Sequence, residues 1–342
     1  MEDSLSVAGT SQPAENPNRG RTGIQIAPAV IADLSRIDSR RALLQIAWEW
    51  TAVISAAVLC EFYFNPLTYL LAVVWIGARQ HALGILLHEG CHKRIAKNRT
   101  LNYLITEVLL AWPLFITFRG YEREHLAHHR CVGTEQDPDW LRTRYEDYEF
   151  PKNLAGTCMA FAKHLLGLRA VRDLHNMLFI AGWARDGSRW NLAARVAFYT
   201  ALGGTLVYFD LWLQYLMYWT VPVCTVLIFL LYFRLVAEHS GLAPGTWMMS
   251  RNVYTNWVGR LFISPVNVNY HLDHHLFPAV PFHNLPRLHA VLLEDPCYAR
   301  HAKNVHGYFG DVLAALTAGG RRRTAEAPGA ERACTNTRTM AS

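Results

Sequence analysis

Eight of the sixteen histidines in this 342-residue chain fall into three compact clusters, His88/His92, His125/His128/His129 and His271/His274/His275, and each cluster lies beside a long apolar stretch. The spacings are i,i+4 in the first cluster and i,i+3,i+4 in the other two. On helices, each cluster therefore turns its imidazoles to one side. A single histidine on an apolar face is ordinarily a core residue with its hydrogen bonds made. Three clusters with helical periodicity call for another explanation, and a metal site at a membrane face accounts for all eight rings together.

The chain is 51% hydrophobic and only 18% charged, which is more apolar than an ordinary soluble domain. Its mean hydropathy of +0.06 shows that much of it nevertheless lies in water. The formal charge of +6 does not imply a nucleic-acid partner. The basic residues sit mostly in tails and in loops that flank apolar stretches, where they act as topology signals and contact anionic lipid. Seven scattered cysteines (Cys60, Cys91, Cys131, Cys158, Cys224, Cys297 and Cys334) imply no disulfide framework. Cys60 and Cys224 read as packing residues, and Cys91 and Cys131 as bystanders beside histidine clusters.

Residues 1–40 form a polar tail, and the first apolar stretch begins near Ala42, too late and too long for a cleaved signal peptide. Four stretches approach the roughly 20 helical residues needed to cross a bilayer: about Ala42–Cys60, Pro66–Leu87, Arg195–Tyr208 with its flanks, and Trp212–Val236. The third is the weakest, broken by Gly203–Gly204. The connections Glu61–Asn65 and Phe209–Leu211 carry no Lys or Arg, whereas Arg36, Arg40, Arg41, Lys93, Arg94, Lys97 and Arg99 crowd the other flanks. The positive-inside rule then puts both termini and all three clusters in the cytoplasm. The apolar segment Leu101–Phe118 contains Glu107 and Pro113 and is expected to dip into the cytoplasmic leaflet without crossing; Leu154–Leu168 is similarly amphipathic. The expected fold is an all-α integral membrane protein, with about four transmembrane helices and a cytoplasmic helical cap. The membrane domain covers residues 41–317, and a disordered tail covers residues 318–342.

Two metal chemistries compete at this point. His88-Glu89-Gly90-Cys91-His92 matches H-E-x-x-H, in which two histidines bind zinc and the glutamate is a general base. An intramembrane zinc protease would take a third ligand from Asp137 or Asp139 and would leave six clustered histidines without a role. Two metal ions employ them all, and imidazole suits iron, zinc and copper alike.

The three boxes H-E-G-C-H, H-L-A-H-H and H-L-D-H-H, in this order and with these apolar spans between them, resemble the membrane fatty acid desaturase superfamily, over roughly Ala42 to His289. The resemblance implies a di-iron centre that uses O2 to remove two hydrogens from adjacent carbons. Electrons would come from a separate ferredoxin or cytochrome b5 type donor, since no H-P-G-G heme motif is present. It implies His88, His92, His125, His128, His129, His271, His274 and His275 as iron ligands, with His239 at the end of the fourth span as a ninth. The first box has three residues between its histidines and Leu235 stands one turn before His239, which disfavours the acyl-CoA branch. Lys93 stands where acyl-lipid enzymes carry another histidine, and His271 where front-end desaturases carry glutamine. The bacterial type is implied, in an inner membrane. It would act on lipid acyl chains or on an amino-acid-derived metabolite such as dihydrorhizobitoxine. A hydroxylase is the alternative within the class.

Glu89, Glu124, Glu238, Asp273, Asp137 and Asp139 are candidate partners for the ligands' second nitrogens. Asn267 and Asn269 are candidates for orienting a ligand or a water. Trp75, Trp112, Trp140 and Tyr270 are candidates for a substrate channel. His81 is expected to pack or hydrogen-bond within the second span, and His164, His175, His283, His289, His301 and His306 have no cluster spacing. Glu49, Arg79 and Gln80 are too few polar groups to mark a transport path.

Overall fold

The computed structural model describes residues 23–139, 145–176, 188–243 and 245–317. Among the described residues, three helices are long and apolar enough to cross a membrane: α2 (Ser39–Phe62), α3 (Pro66–Cys91) and α9 (Trp212–His239), the last containing two wide turns around Pro222. The third expected span forms α8 (Arg189–Tyr208), a 20-residue helix. With Arg189, Asn191 and Arg195 in its first two turns, it falls outside the set that is apolar enough by composition. Before α2 lies α1 (Pro28–Leu34); between α3 and α8 lie α4 (Arg99–Ile105), α5 (Phe118–Cys131), α6 (Leu154–Leu165) and α7 (Ala170–His175). After α9 come β1 (Asn252–Tyr254), α10 (Trp257–Phe262), α11 (His271–Leu276), α12 (Leu285–Leu293), α13 (Pro296–His301), β2 (Asn304–His306) and α14 (Leu313–Thr317).

Local chemistry sets the ends of α3. Asn65 accepts from the backbone N–H groups of Leu67 and Thr68, Thr68 answers with a capping box, and Pro66 supplies a first residue already bent for a helix. Its first turns expose Leu67, Leu70 and Leu71, as α2 exposes Leu44, Ile54 and Leu59, an apolar surface suited to lipid. From Ile76 onward almost every α3 side chain is buried. A β-carbon at Gly77 would lie 2.4 Å from Val226 of α9, so only glycine permits this helix contact. Three polar residues within the spans find partners there or in nearby backbone. Arg79 Nη1 donates to Glu49 at 3.0 Å, its Nη2 donates to the carbonyl of Leu261, and Gln80 donates to the carbonyl of Trp219 at 3.0 Å.

The segment between the first two boxes leaves and re-enters the same region. The helical stretch Arg99–Leu114 meets α5 at a bend of 93°. Buried Glu107 makes that corner, accepting from Trp112 Nε1 at 2.6 Å and from the Phe118 N–H at 3.0 Å, the latter being the otherwise unpaired N-terminus of α5. The acid that the sequence places in this apolar stretch thus holds the bend where the two helical stretches meet.

Residues 23–40, read as a polar tail, are in part docked. Leu34 packs with Leu272, Leu276 and Leu288 around the third box, and its carbonyl accepts from Asn284 Nδ2 at 2.8 Å. The calls on residues 1–22, on Trp140 and on 318–342 lie outside the described residues. Cys60, Cys91, Cys131, Cys158 and Cys224 are free thiols, while Cys297 is disulfide-bonded, a link that the scattered spacing did not announce.

Candidate metal centre

Four helices deliver nine histidines to one place. His88 and His92 lie at the end of α3, where the turn is held by Asn102: its Oδ1 accepts from Ile95 N and Ala96 N, and its Nδ2 donates to the Gly90 carbonyl at 3.0 Å. His125, His128 and His129 lie on α5, His239 ends α9, and His271, His274 and His275 lie on α11, all six residues of which are buried.

The rings sort into two groups. His88, His92, His125, His129 and His274 form one, and His128, His239, His271 and His275 the other. In each group, one nitrogen per ring lies within 4.8 Å of all the rest. The clusters interleave, because α5 gives His125 and His129 to the first group and His128 to the second, while α11 gives His274 to the first and His271 and His275 to the second.

These contacts suit a cation better than hydrogen bonds. His92 and His125 approach Nε2 to Nε2 at 2.8 Å, His239 and His271 at 2.9 Å, His271 and His275 at 3.0 Å, and His129 and His274 at 3.2 Å. A facing pair of neutral imidazoles shares one proton at best, and His271 Nε2 faces two partners at once. Neither nitrogen of buried His88 has a hydrogen-bond partner, a costly state unless a cation takes the lone pair. Burial, reinforced by neighbouring imidazoles, holds His271, His274 and His275 well below the usual histidine range. Burial, with Arg94 and Lys93 adding to it, pushes His92 down to about 3. The rings are therefore neutral and available as ligands.

The six candidate acids divide by what they touch. Asp137 Oδ1 meets His128 Nδ1 at 2.8 Å, with Asp139 Oδ2 at 3.5 Å. Glu238 Oε2 lies 3.3 Å from His271 Nε2, and both Glu238 oxygens accept from Arg234 Nε. Glu89 accepts from the Phe282 N–H at 2.9 Å and stands 3.8 Å from His88. Glu124 is buried on the wall of the cavity described below. Asp273 reaches no clustered ring and pairs instead with His289 Nδ1 at 2.7 Å. Asn267 and Asn269 donate to the carbonyls of Phe282 and Val253, and so brace backbone near the third box.

Sequence reasoning missed several participants. His239 Nδ1 meets the Met249 carbonyl at 2.8 Å, in a turn where Met248 and Met249 adopt positive φ of 51° and 39°. Carbonyl partners carry no residue signal. His289 was set aside for lack of cluster spacing, yet it is the buried partner of Asp273. His81 packs with no hydrogen bond to either ring nitrogen. His164 donates to or accepts from groups of its own neighbourhood, stacking on Tyr232 at 3.6 Å.

A cavity of about 200 Å³ opens on His88, His125, His128, His239 and His271. Trp75, Trp112 and Tyr270 do not line it; Trp75 donates to the Ala52 carbonyl and Trp112 to Glu107. Tyr121, stacked on His125, and Tyr148 and Tyr232 take that place.

Known proteins share this arrangement of sequence. The fatty acid desaturase family model matches residues 64–308. Dihydrorhizobitoxine desaturase of Bradyrhizobium elkanii is 30% identical over 311 residues, covering 84% of this chain and 85% of that protein. The sphingolipid delta(4)-desaturase of Drosophila melanogaster is 26% identical, covering 72% and 74%. The ferredoxin-linked sn-1 acyl-lipid omega-3 desaturase of Nostoc sp. is 20% identical, covering 67% of each. The matched stretch contains every histidine of both groups and the helices that carry them, so the chain belongs to the fatty acid desaturase family and is an oxidoreductase of the desaturase kind.

Proposed function

We propose that the nine histidines hold two irons, five rings around one and four around the other, in an enzyme that introduces a carbon–carbon double bond into a small metabolite or a lipid acyl chain. The observation that carries this reading is the interleaved pair of buried imidazole groups, each with its nitrogens within 4.8 Å. Bound there, the irons would supply O2 chemistry that takes one hydrogen from each of two adjacent carbons and, with two electrons and two protons, yields two waters. A ferredoxin or cytochrome b5 type protein would deliver the electrons on the cytoplasmic side of a bacterial inner membrane.

This chain's own residues do the rest. Asp137 and the Met249 carbonyl each take the second nitrogen of a ring and so fix which nitrogen faces inward. Apolar side chains such as Leu87, Ile116, Leu227 and Leu231 wall the cavity against water. The zinc protease reading loses support, because Glu89 is engaged by the Phe282 backbone and because six other clustered rings join the same site.

Metal analysis of protein purified from membranes tests the proposal. It predicts about two irons per chain and O2-dependent product, with His274→Ala inactive. One tightly held zinc, with His274→Ala active and Glu89→Gln inactive, would refute it.

A further inference from the structure

A charged side chain with unmet donors stands in the wall of the metal-facing cavity. Arg234 lies on α9, inside a helix apolar enough to span the membrane, and lines the cavity with His239 and His271. Its side chain is only 14% exposed. Its Nε donates to Glu238 Oε1 at 2.8 Å and Oε2 at 2.9 Å. Both carboxylate oxygens are thus taken by one nitrogen, and neither Nη makes a hydrogen bond among the described residues. Arg79, a buried arginine of α3, shows the contrast: its two Nη groups are used by Glu49 and by the Leu261 carbonyl, and it does not line this cavity. Ionisable groups at membrane depth mark substrate paths when they face a cavity, and here the cavity leaves the Nη donors room for an acceptor.

The geometry points to Arg234 as the anchor for a free carboxylate on the substrate, held end-on by the two Nη groups while the adjacent carbons face the histidines. Two coplanar donors match the two oxygens of a carboxylate. An acyl chain esterified in a glycerolipid has no anion at that end and would leave the fork unmet. The cavity, at about 200 Å³, is also below the range of roughly 300–1,000 Å³ common for drug-sized ligands. The substrate class is therefore a small free acid, an amino acid derivative included, and an esterified lipid is excluded. This rests on reading the nine-histidine site as the desaturating centre.

Binding separates the two readings, because it does not depend on turnover. Octanoate, methyl octanoate and octyl phosphate serve as probes for the metal-loaded protein in detergent, with metal content measured alongside. Octanoate is expected to bind at least about tenfold more tightly than its ester, as expected for a hydrogen-bonded charge pair. Arg234→Lys should abolish that preference while ester affinity and metal content stay at wild-type values. If Arg234→Lys also sheds metal, Glu238→Gln, which breaks the same ion pair but keeps the fork, should still prefer octanoate. Equal binding of acid and ester, a preference that survives Arg234→Lys, its loss in Glu238→Gln, or tighter binding of octyl phosphate than octanoate would each overturn the assignment. Metal-free wild-type protein would refute the centre and not the anchor.

Discussion

The Asp273 carboxylate meets the His289 imidazole at 2.7 Å, Oδ2 to Nδ1, and through it ties α11 to α12. Its other oxygen accepts from Asn252 Nδ2 at 2.8 Å and from the Tyr298 hydroxyl, while Tyr254 meets His289 Nε2 at 2.7 Å. The parallel pairing of β1 with β2 sets Asn252 beside Asn304 in this network. Five side chains from four elements thus hold a helix of six residues that carries three of the nine rings.

Asp273→Ala strands these partners in a buried site and is expected to cost about 3–5 kcal/mol. Asp273→Asn keeps the shape but loses the charge and should cost less. Thermal unfolding of both variants checks the order, and metal analysis should show release in step with the loss of stability.

His239→Ala removes one of only four rings in its group. It should bind about one metal per chain in place of about two, lose turnover, and remain folded in the membrane. Full metal content with normal turnover would reduce His239 to a helix-end residue.

Asp137→Ala removes the 2.8 Å partner of His128 Nδ1 while leaving all nine rings. Such outer partners are worth roughly 10–100-fold in metal affinity. Competition with a chelator should show a loss of that order, with little change in unfolding temperature of the metal-loaded protein.

Acid should destabilise the metal-free protein. His92, His271, His274 and His275 are held below their unfolded value of 6.5, so the unfolded chain binds more protons than the folded one beneath it. Stability is full above 6.5 and falls as pH drops toward about 3, the value for His92. Denaturation of chelator-treated protein across this window measures the slope.

Lys97 and Arg130 are exposed on either side of the returning segment. Cysteines placed at both positions should be labelled from the cytoplasmic face of sealed vesicles. Labelling of one from each side would be incompatible with rings of α3 and α5 lying 4.3 Å apart.

The grouping was legible because its histidines repeat at helical spacing beside apolar stretches, a pattern that needs no tertiary knowledge. His239 was legible only through its place at the end of a span. What stayed hidden was chemistry that depends on who faces whom. The i,i+4 pairing of Arg234 with Glu238 looks like any helix-surface ion pair until the cavity shows the guanidinium's far edge. The 16 residues between Asp273 and His289 have no period that would connect them. Glu107 stood out in the sequence as an acid in an apolar stretch, but its work at the α5 N-terminus required the bend itself. The interleaving of α5 rings between the two groups follows from helix rotation, which spacing alone leaves free.

Rings that finish edge to face are spread along the chain from His88 to His275, and His274 completes the group that His88 begins. During synthesis the early histidines therefore emerge with open nitrogens long before their last companions exist. Exposed imidazoles prefer copper or zinc to ferrous iron. Neither group of rings is complete until α11 has been made, so a site that needs His274 or His275 cannot form before then.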